Sequence, residues 1–338
     1  MTSRCLAVSL TVVALVVFAP VSSAAQADVP RTAWGQPDLQ GVWDFRTVTP
    51  LERPAQFGDR ETLTEEEAAA VEAGAAVFQQ FIDRPPPEGS VGAYNAFWLD
   101  FGTTVGEDRR SSLIVEPANG RLPALADGVA TQVGSLDEDL PGEYPWRVRS
   151  AGLGADGPED RGLAERCLLG FNAGPPMMPS AYNNNMQLFQ TADHVVILNE
   201  MIHNARIIPV GDSPHVDTDI RQWEGDPRGH WEGNTLIVES TNFRAVQNIR
   251  GPSAGIRSRQ SEAQRIVERF SLVGPDMLRY SVTMDDAETY TAPWSAAFPF
   301  NRDDDYLQFE YACHEGNHAM INVLRGARAQ ETEATPNR

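Results

Sequence analysis

The sequence contains no lysine, and all 27 of its basic residues are arginines. A chain without lysine cannot form a lysine Schiff base, anchor pyridoxal phosphate or build a Walker-type phosphate loop. The 27 arginines are outnumbered by 47 acidic residues, so the formal net charge is −20 at pH 7. Such a charge repels phosphate backbones, which argues against a nucleic-acid partner.

Long apolar runs are also lacking, apart from one near the N-terminus. The apolar residues 6–20 follow a short start with one charge, and Ala25-Gln26-Ala27 places small residues at the −3 and −1 positions of a cleavage site. This pattern predicts a signal peptide over residues 1–27 and a protein that is secreted or exported to the periplasm. No stable membrane anchor is expected after cleavage, and an uncleaved anchor is the alternative.

Cysteine is scarce as well, with three residues in the chain. Cys5 falls inside the predicted signal peptide, which leaves Cys167 and Cys313. In an oxidising compartment this pair predicts a disulfide that ties the middle of the chain to its C-terminal part. Two unconnected buried thiols are the alternative. A reactive nucleophile is less favoured, because it would need a cationic neighbourhood that the sequence does not show.

The sequence pattern of residues 28–110 predicts one strand, at residues 39–45, and one helix. Both should pack on a larger β domain. Thr64 followed three residues later by Glu67 forms a capping box, and the alanine-rich run to Gln80 favours a helix. A run of prolines from Pro85 should end it.

Residues 111–328 are dominated by short apolar segments separated by turn residues, and they are taken as one antiparallel β domain. The predicted strands cover residues 112–116, 186–190, 194–201, 205–210, 230–231, 235–239, 265–273, 277–284 and 307–313. This pattern predicts a mainly β fold: an antiparallel calycin- or lipocalin-like barrel, or a related sheet with an internal cavity. Helical additions at the N-terminus, a short C-terminal helix and a disordered tail over residues 329–338 complete the prediction.

The segment 307–328 carries the densest set of groups able to take part in acid, base or metal chemistry. On the predicted last strand, Glu310 and His314 lie on one face. Residues 314–318 also spell H-E-x-x-H, the zinc-peptidase motif, which requires a helix that places both histidines on one side. Here the motif follows a strand and contains Gly316. No metal or other cofactor is therefore predicted, and a site built from His314 and His318 is kept as a minor alternative.

A second polar group interrupts the predicted strand 194–201. Glu200 and His203 spell E-x-x-H, and Arg206 follows. On a regular strand the glutamate and the histidine point to opposite faces, so they converge only if the chain bends near Ile202. A structural ion pair between a glutamate and an arginine is an equally good interpretation.

The middle of the predicted strand 265–273 carries two charges, Glu268 and Arg269. They face either solvent or a cavity, and the solvent-facing interpretation is favoured because an antiparallel sheet usually keeps one face wet.

The most polar and aromatic loop is residues 221–234. It predicts a surface that binds a polar or aromatic ligand, or alternatively the closed end of a barrel. Its candidates are a catalytic His230 and the substrate-binding residues Trp223, Arg228 and Trp231, to which the irregular segment before the first hairpin adds Tyr182 and Asn184.

Six stretches taken together resemble a large group of exported bacterial proteins of uncharacterised activity. They are NNNMQLFQ, EMIHNARIIP, RGHWEGNTLIVESTNF, VERFSLV, YTAPW and YACHEGN. The resemblance covers most of the chain after the predicted signal peptide. It implies a shared fold and export, and it assigns no residue roles.

Three hypotheses about function follow. The first is a cofactor-independent acid–base enzyme, a lyase, isomerase or hydrolase that acts on a small, partly apolar molecule in the barrel. Its candidate catalytic residues are Glu200, His203, His230, Glu310 and His314, with Arg206 steadying developing negative charge. The second is a lipocalin-like binding protein, for which the ionisable groups of the cavity should be paired off. The third is the metal site at His314 and His318.

Overall fold

The structure is a computed structural model, and it describes residues 29–85, 99–129, 156–244 and 261–334. The predicted signal peptide lies outside these described residues.

Ten strands form one antiparallel sheet in the described part of the chain. They are β1 (Gly41–Asp44), β2 (Ile114–Glu116), β3 (Asn185–Gln190), β4 (His194–Asn199), β5 (Ala205–Pro209), β6 (Asp226–Glu232), β7 (Thr235–Thr241), β8 (Arg265–Gly274), β9 (Met277–Asp285) and β10 (Trp294–Arg302). Nine of them follow the order β5-β4-β3-β1-β10-β9-β8-β7-β6, and β2 pairs with β10 off this path.

The two outer strands of that order meet and nearly close the sheet into a barrel. Val210, just after β5, forms a parallel bridge with Gly229 of β6, and the Gly211 amide donates to the Gly229 carbonyl over 2.8 Å. The closing pair is parallel because the path contains an odd number of strands, so β5 and β6 run in the same direction. The prediction of a mainly β, antiparallel barrel is confirmed.

The barrel interior is lined by side chains that alternate along each strand. On β9, every second residue from Leu278 to Met284 is buried. The interior is rich in aromatic rings, among which Tyr280 stacks on Phe300 with ring centroids 5.0 Å apart and contacts Phe298 at 5.4 Å. Each buried phenylalanine contributes roughly 1.5–3 kcal/mol to folding.

Two helices flank the barrel. The helix α1 (Glu65–Ile82) begins with the predicted capping box, in which Thr64 accepts from the Glu67 amide and the Glu67 carboxylate accepts from the Thr64 amide. The helix α2 (His318–Ala334) follows the last turn and continues past Ala329, where a disordered tail was predicted. Within the described residues, neither helix combines the length and the apolar character that crossing a membrane requires.

The predicted strand at residues 307–313 is wrong, because this segment pairs with no strand among the described residues. It leaves Leu307 and Phe309 exposed, and its Gln308 side chain donates to the Leu198 carbonyl of β4. Glu310 and His314 therefore do not share a strand face.

The strand β10 is missing from the sequence prediction because it contains Pro299, which is unusual within a sheet. One edge of β10 pairs with β1 up to Asn301 and with β2 up to Ala296. Pro299 lies between these two pairings and has no partner strand on that edge. The Ala297 amide donates toward the β2 side, and the nitrogen of Pro299, two residues further along the strand, faces the same edge. Because that edge is unpaired at Pro299, the absence of an N–H group removes no hydrogen bond from the sheet.

Candidate functional site

The centre of the candidate site is an ion pair inside the barrel, between Arg206 of β5 and Glu268 of β8. The Arg206 guanidinium donates two hydrogen bonds to the Glu268 carboxylate, over 3.1 and 2.5 Å. Both side chains are almost completely buried. The sequence favoured a solvent-facing Glu268, which is wrong, whereas Arg269 on the other face of β8 is exposed as predicted.

Tyr280 of β9 extends this pair into a buried network. Its hydroxyl donates to the Glu268 carboxylate over 2.8 Å and accepts from the Met177 amide at 3.1 Å. Register explains the contact: Phe270, two residues along β8 from Glu268, is the direct partner of Tyr280.

Burial and charge shift two pKa values in this network. Burial raises the pKa of the Tyr280 hydroxyl well above its usual value, and the Glu268 charge raises it further. Burial alone would lower the pKa of Arg206, but the charge of Glu268 and its hydrogen bonds raise it, with a smaller contribution from Glu224. Arg206 is therefore a fixed cation, and Tyr280 stays protonated in neutral solution.

The loop before β3 lies against the ion pair and covers it. A Cβ atom on Gly174 would come within 2.5 Å of an Arg206 nitrogen, so only glycine allows this approach. Met177 and Met178 of the same loop are buried in the barrel core. The predicted substrate-binding residue Asn184 holds this loop: its amide donates to the carbonyls of Ser180 and Asp100, and its oxygen accepts from the Ser180 amide.

Several buried polar atoms have no hydrogen-bond partner among the described residues. Among them are both amide atoms of Asn199, both amide atoms of Gln264, the Ser240 hydroxyl and Nε of Arg206. Asn199 follows Ile197, the direct partner of Arg206, by two residues, and Ser240 follows Val238, the direct partner of Glu268, by two residues. Both therefore lie on the inner face, diagonal to the pair.

Glu200 is buried at the β4–β5 connection, but it does not join this network. Its carboxylate accepts from the Tyr306 hydroxyl at 2.9 and 2.8 Å and from the Asn185 amide at 3.2 Å. Burial and this carboxylate raise the pKa of Tyr306. The role that this geometry supports for Glu200 is to hold residues 306–317 against the barrel.

The chain bends after Glu200, as the convergence of Glu200 and His203 would require. The His203 side chain nevertheless points away from Glu200. Ile202 and His203 both have positive φ angles, of 59° and 43°, in a short 3₁₀ turn. This conformation is strained for a β-branched residue. The exposed His203 ring has Nδ1 3.2 Å from the Tyr311 carbonyl, so it contacts backbone and not Glu200.

The predicted disulfide is present and joins Cys167 to Cys313. Around it, His314 Nε2 lies 2.9 Å from the Cys167 carbonyl, and the Asn317 side chain donates to the Glu165 carbonyl. We call residues 306–317 the strap, because these bonds fasten the segment to residues 165–167.

The two remaining candidates in or next to the strap are on the surface. Glu310 and His318 are exposed, and His318 begins α2. Within the described residues, no group of three or more histidines, cysteines and acidic residues is arranged to hold a metal ion.

The aromatic loop does not form one site. Trp223 packs on a small apolar cluster under the Arg244 guanidinium, whereas Trp231 packs against the barrel core. His230 is exposed beside Glu232, and Arg228 bonds to Asp226. Tyr182 instead contacts the rings of Phe171 and Tyr311, beside the strap.

A pair that the sequence interpretation missed is His215 with Asp226. His215 Nδ1 lies 2.9 Å from the buried Asp226 carboxylate, and Nε2 is 3.8 Å from Glu239. Glu239 also pairs with Arg265. His215 and Asp226 are separated by loop residues without a periodic pattern, so the sequence gave no reason to pair them.

Two glycine strings match known functional motifs but fall wholly or partly outside the described residues. Residues 251–255 spell G-x-S-x-G, and residues 152–157 spell G-x-G-x-x-G. Both motifs work at a strand-to-helix turn in a sheet with parallel strands. In the sequence, the first lies between β7 and β8, which pair antiparallel.

No protein-family model matches the chain, and neither a curated protein nor a solved structure matches it.

Proposed function

We propose that this protein is an exported binding protein that holds a small, partly apolar molecule inside its barrel. The molecule's polar group would lie beside Arg206 and Asn199, and its apolar part among the aromatic rings of the interior. The observation that carries the proposal is Asn199, which is 1% exposed while both of its amide atoms have no partner among the described residues. Buried amides are normally bonded, and small-molecule sites combine an apolar lining with a few convergent polar groups.

Binding is favoured over catalysis because the charged groups of the site are paired. Arg206 donates two hydrogen bonds to Glu268, and Tyr280 donates its hydroxyl proton to the same carboxylate. None of the five catalytic candidates from the sequence reaches this network in the described contacts. The disulfide supports export, since structural disulfides form in oxidising compartments such as the periplasm.

The test is native mass spectrometry of the protein purified from the exported fraction without refolding. We expect one small molecule bound per chain. The double variant Arg206→Met/Glu268→Leu should be purified empty, and Asn301→Leu, on an exposed residue of β10, should keep the ligand. An empty native protein, or a ligand retained equally by the double variant, would refute the proposal.

The acid–base enzyme is the second candidate, and a different contact favours it. The Tyr280 hydroxyl and the Glu268 carboxylate form a hydrogen-bonded acid–base pair, with Arg206 available to stabilise negative charge. A bound substrate that displaced the Tyr280 proton from Glu268 would meet a buried base. Conversion of the copurified molecule on incubation, lost in Tyr280→Phe, would favour this candidate over simple binding.

A further inference from the structure

Three arginines are almost completely buried in the described part of the chain: Arg53, Arg161 and Arg206. Two of them have a carboxylate partner, since Arg161 pairs with Glu165 and Arg206 pairs with Glu268. Arg53 is 2% exposed and forms no ion pair with any described residue. The chain has 47 acidic residues for 27 arginines, so a shortage of carboxylates does not explain this exception.

The Arg53 guanidinium is held along one edge. Its Nε donates to the Ser111 hydroxyl over 2.9 Å, and that hydroxyl donates in turn to the Arg60 carbonyl over 2.6 Å. Nη1 is buried, and neither terminal nitrogen has a hydrogen-bond partner among the residues that the structure describes. Because the guanidinium is planar and rigid, these two nitrogens form a pair of unused donors side by side.

A tight turn at Gly120 packs against the same side chain. The Arg53 amide donates to the Gly120 carbonyl over 2.7 Å, and Gly120 has a φ angle of 69°. A Cβ atom on this glycine would come within 3.0 Å of the Arg53 Cζ and 2.5 Å of the Ser112 hydroxyl oxygen. The groups that hold Arg53 in place are therefore backbone and serine, and they carry no charge.

An enclosed cation without a counter-charge is unfavourable. Arginine does not escape this cost by losing its proton, because its guanidinium stays charged in proteins. A water molecule would supply hydrogen bonds but would leave the charge of Arg53 uncompensated. An oxyanion supplies both, since two oxygens that share a negative charge accept parallel hydrogen bonds from the two terminal nitrogens.

We propose that Arg53 is the centre of a second binding site, which takes a small oxyanion: phosphate, sulfate or the carboxylate of a small molecule. The contacts of Arg53 share no residue with the Arg206–Glu268 pair. The site is therefore separate from the one proposed inside the barrel, and it does not depend on that function.

The experiment measures the melting temperature of the full exported chain in phosphate, sulfate and acetate, against chloride at equal ionic strength. A ligand at about ten times its dissociation constant raises the melting temperature of a chain of this size by roughly 2–4 °C. We expect a saturable rise of that size with at least one of the three anions. Arg53→Met should abolish the rise, whereas Arg269→Met, the same substitution at an exposed arginine, should keep it.

A second variant decides the matter if Arg53→Met does not fold. Arg53→Lys keeps the charge but lacks the paired donors, so it should bind the anion weaker by about tenfold or more. Native mass spectrometry of the undialysed protein detects an anion that is held too tightly to exchange, and such an anion, lost in Arg53→Lys, also supports the site. The absence of both a saturable rise and a retained anion overturns the proposal, and so does binding by Arg53→Lys as tight as by the native chain.

Discussion

Arg206 and Glu268, 62 residues apart in the sequence, form a two-fold hydrogen-bonded ion pair with almost no solvent exposure inside the barrel. Desolvation of two charges costs several kcal/mol, so such a pair is a weak source of stability compared with apolar packing. A buried charged pair in a mostly apolar interior supports a role in binding.

The first prediction separates stability from function at this pair. Arg206→Met alone should destabilise the fold by about 3–5 kcal/mol, because it leaves the Glu268 charge buried without its partner. The double variant Arg206→Met/Glu268→Leu should be close to the native protein in stability. Chemical unfolding of the three proteins measures both effects. A double variant as unstable as the single one would show that the pair is mainly structural.

The second prediction concerns the disulfide. Cys167 and Cys313 are 146 residues apart. Replacing both by serine should lower the free energy of unfolding by roughly 2–5 kcal/mol, because the unfolded chain regains conformational freedom. Hydrogen exchange should rise first in the strap, whose backbone is tied to the barrel by side-chain contacts such as that of Gln308 with the Leu198 carbonyl. Unchanged exchange in the strap would contradict the fastening role.

The third prediction is a loss of stability in alkaline solution. The pKa values of Tyr280 and Tyr306 are raised in the folded protein, whereas unfolded tyrosines ionise near their ordinary value of about 10. Their contribution to stability is therefore complete below about pH 10 and declines as the pH rises through the folded values. The free energy of unfolding of the double variant Tyr280→Phe/Tyr306→Phe should decline less steeply between about pH 9 and 11, where unfolded tyrosine ionises. Parallel curves for the two proteins would refute this assignment.

The fourth prediction addresses the start of α1. Hydrogen bonding by Arg60, helped by the Thr64 amide, lowers the pKa of Glu67 to about 2 from an ordinary 4.5. The support that Glu67 gives to the helix is thus present above its ordinary pKa and is lost as the pH falls toward 2. Thr64→Ala should cost about 1 kcal/mol at neutral pH and should increase hydrogen exchange in the first turn. Thr218→Ala, at an exposed residue outside the helix, serves as the matched control.

The local features of the fold could be predicted because they depend on neighbouring residues. The capping box at Thr64 and Glu67 needs no tertiary information, and the cysteine pair follows from the predicted compartment. Residues 307–313 alternate like a strand, but the barrel closes through β5 and β6. The segment therefore has no sheet edge to join and becomes the strap.

The site could be predicted only in part, because it depends on which face of each strand points inward. Alternation shows that Glu268 and Arg269 face opposite sides, but barrel closure decides which side is the interior. Arg206 was singled out, but its partner Glu268 lies three strands away around the closed barrel. Convergence of Glu200 and His203 was expected only if the chain bent near Ile202. The chain does bend there, with a positive φ at Ile202, but the His203 ring contacts the Tyr311 carbonyl.

The central claim, that Asn199 is kept unpaired in the interior for a ligand, is tested most directly by measuring stability and ligand occupancy together for Asn199→Leu. An unsatisfied buried amide costs about 1–3 kcal/mol, and leucine has a similar volume. The account predicts a higher melting temperature and an empty barrel. A lower melting temperature, with the ligand still bound, would contradict it.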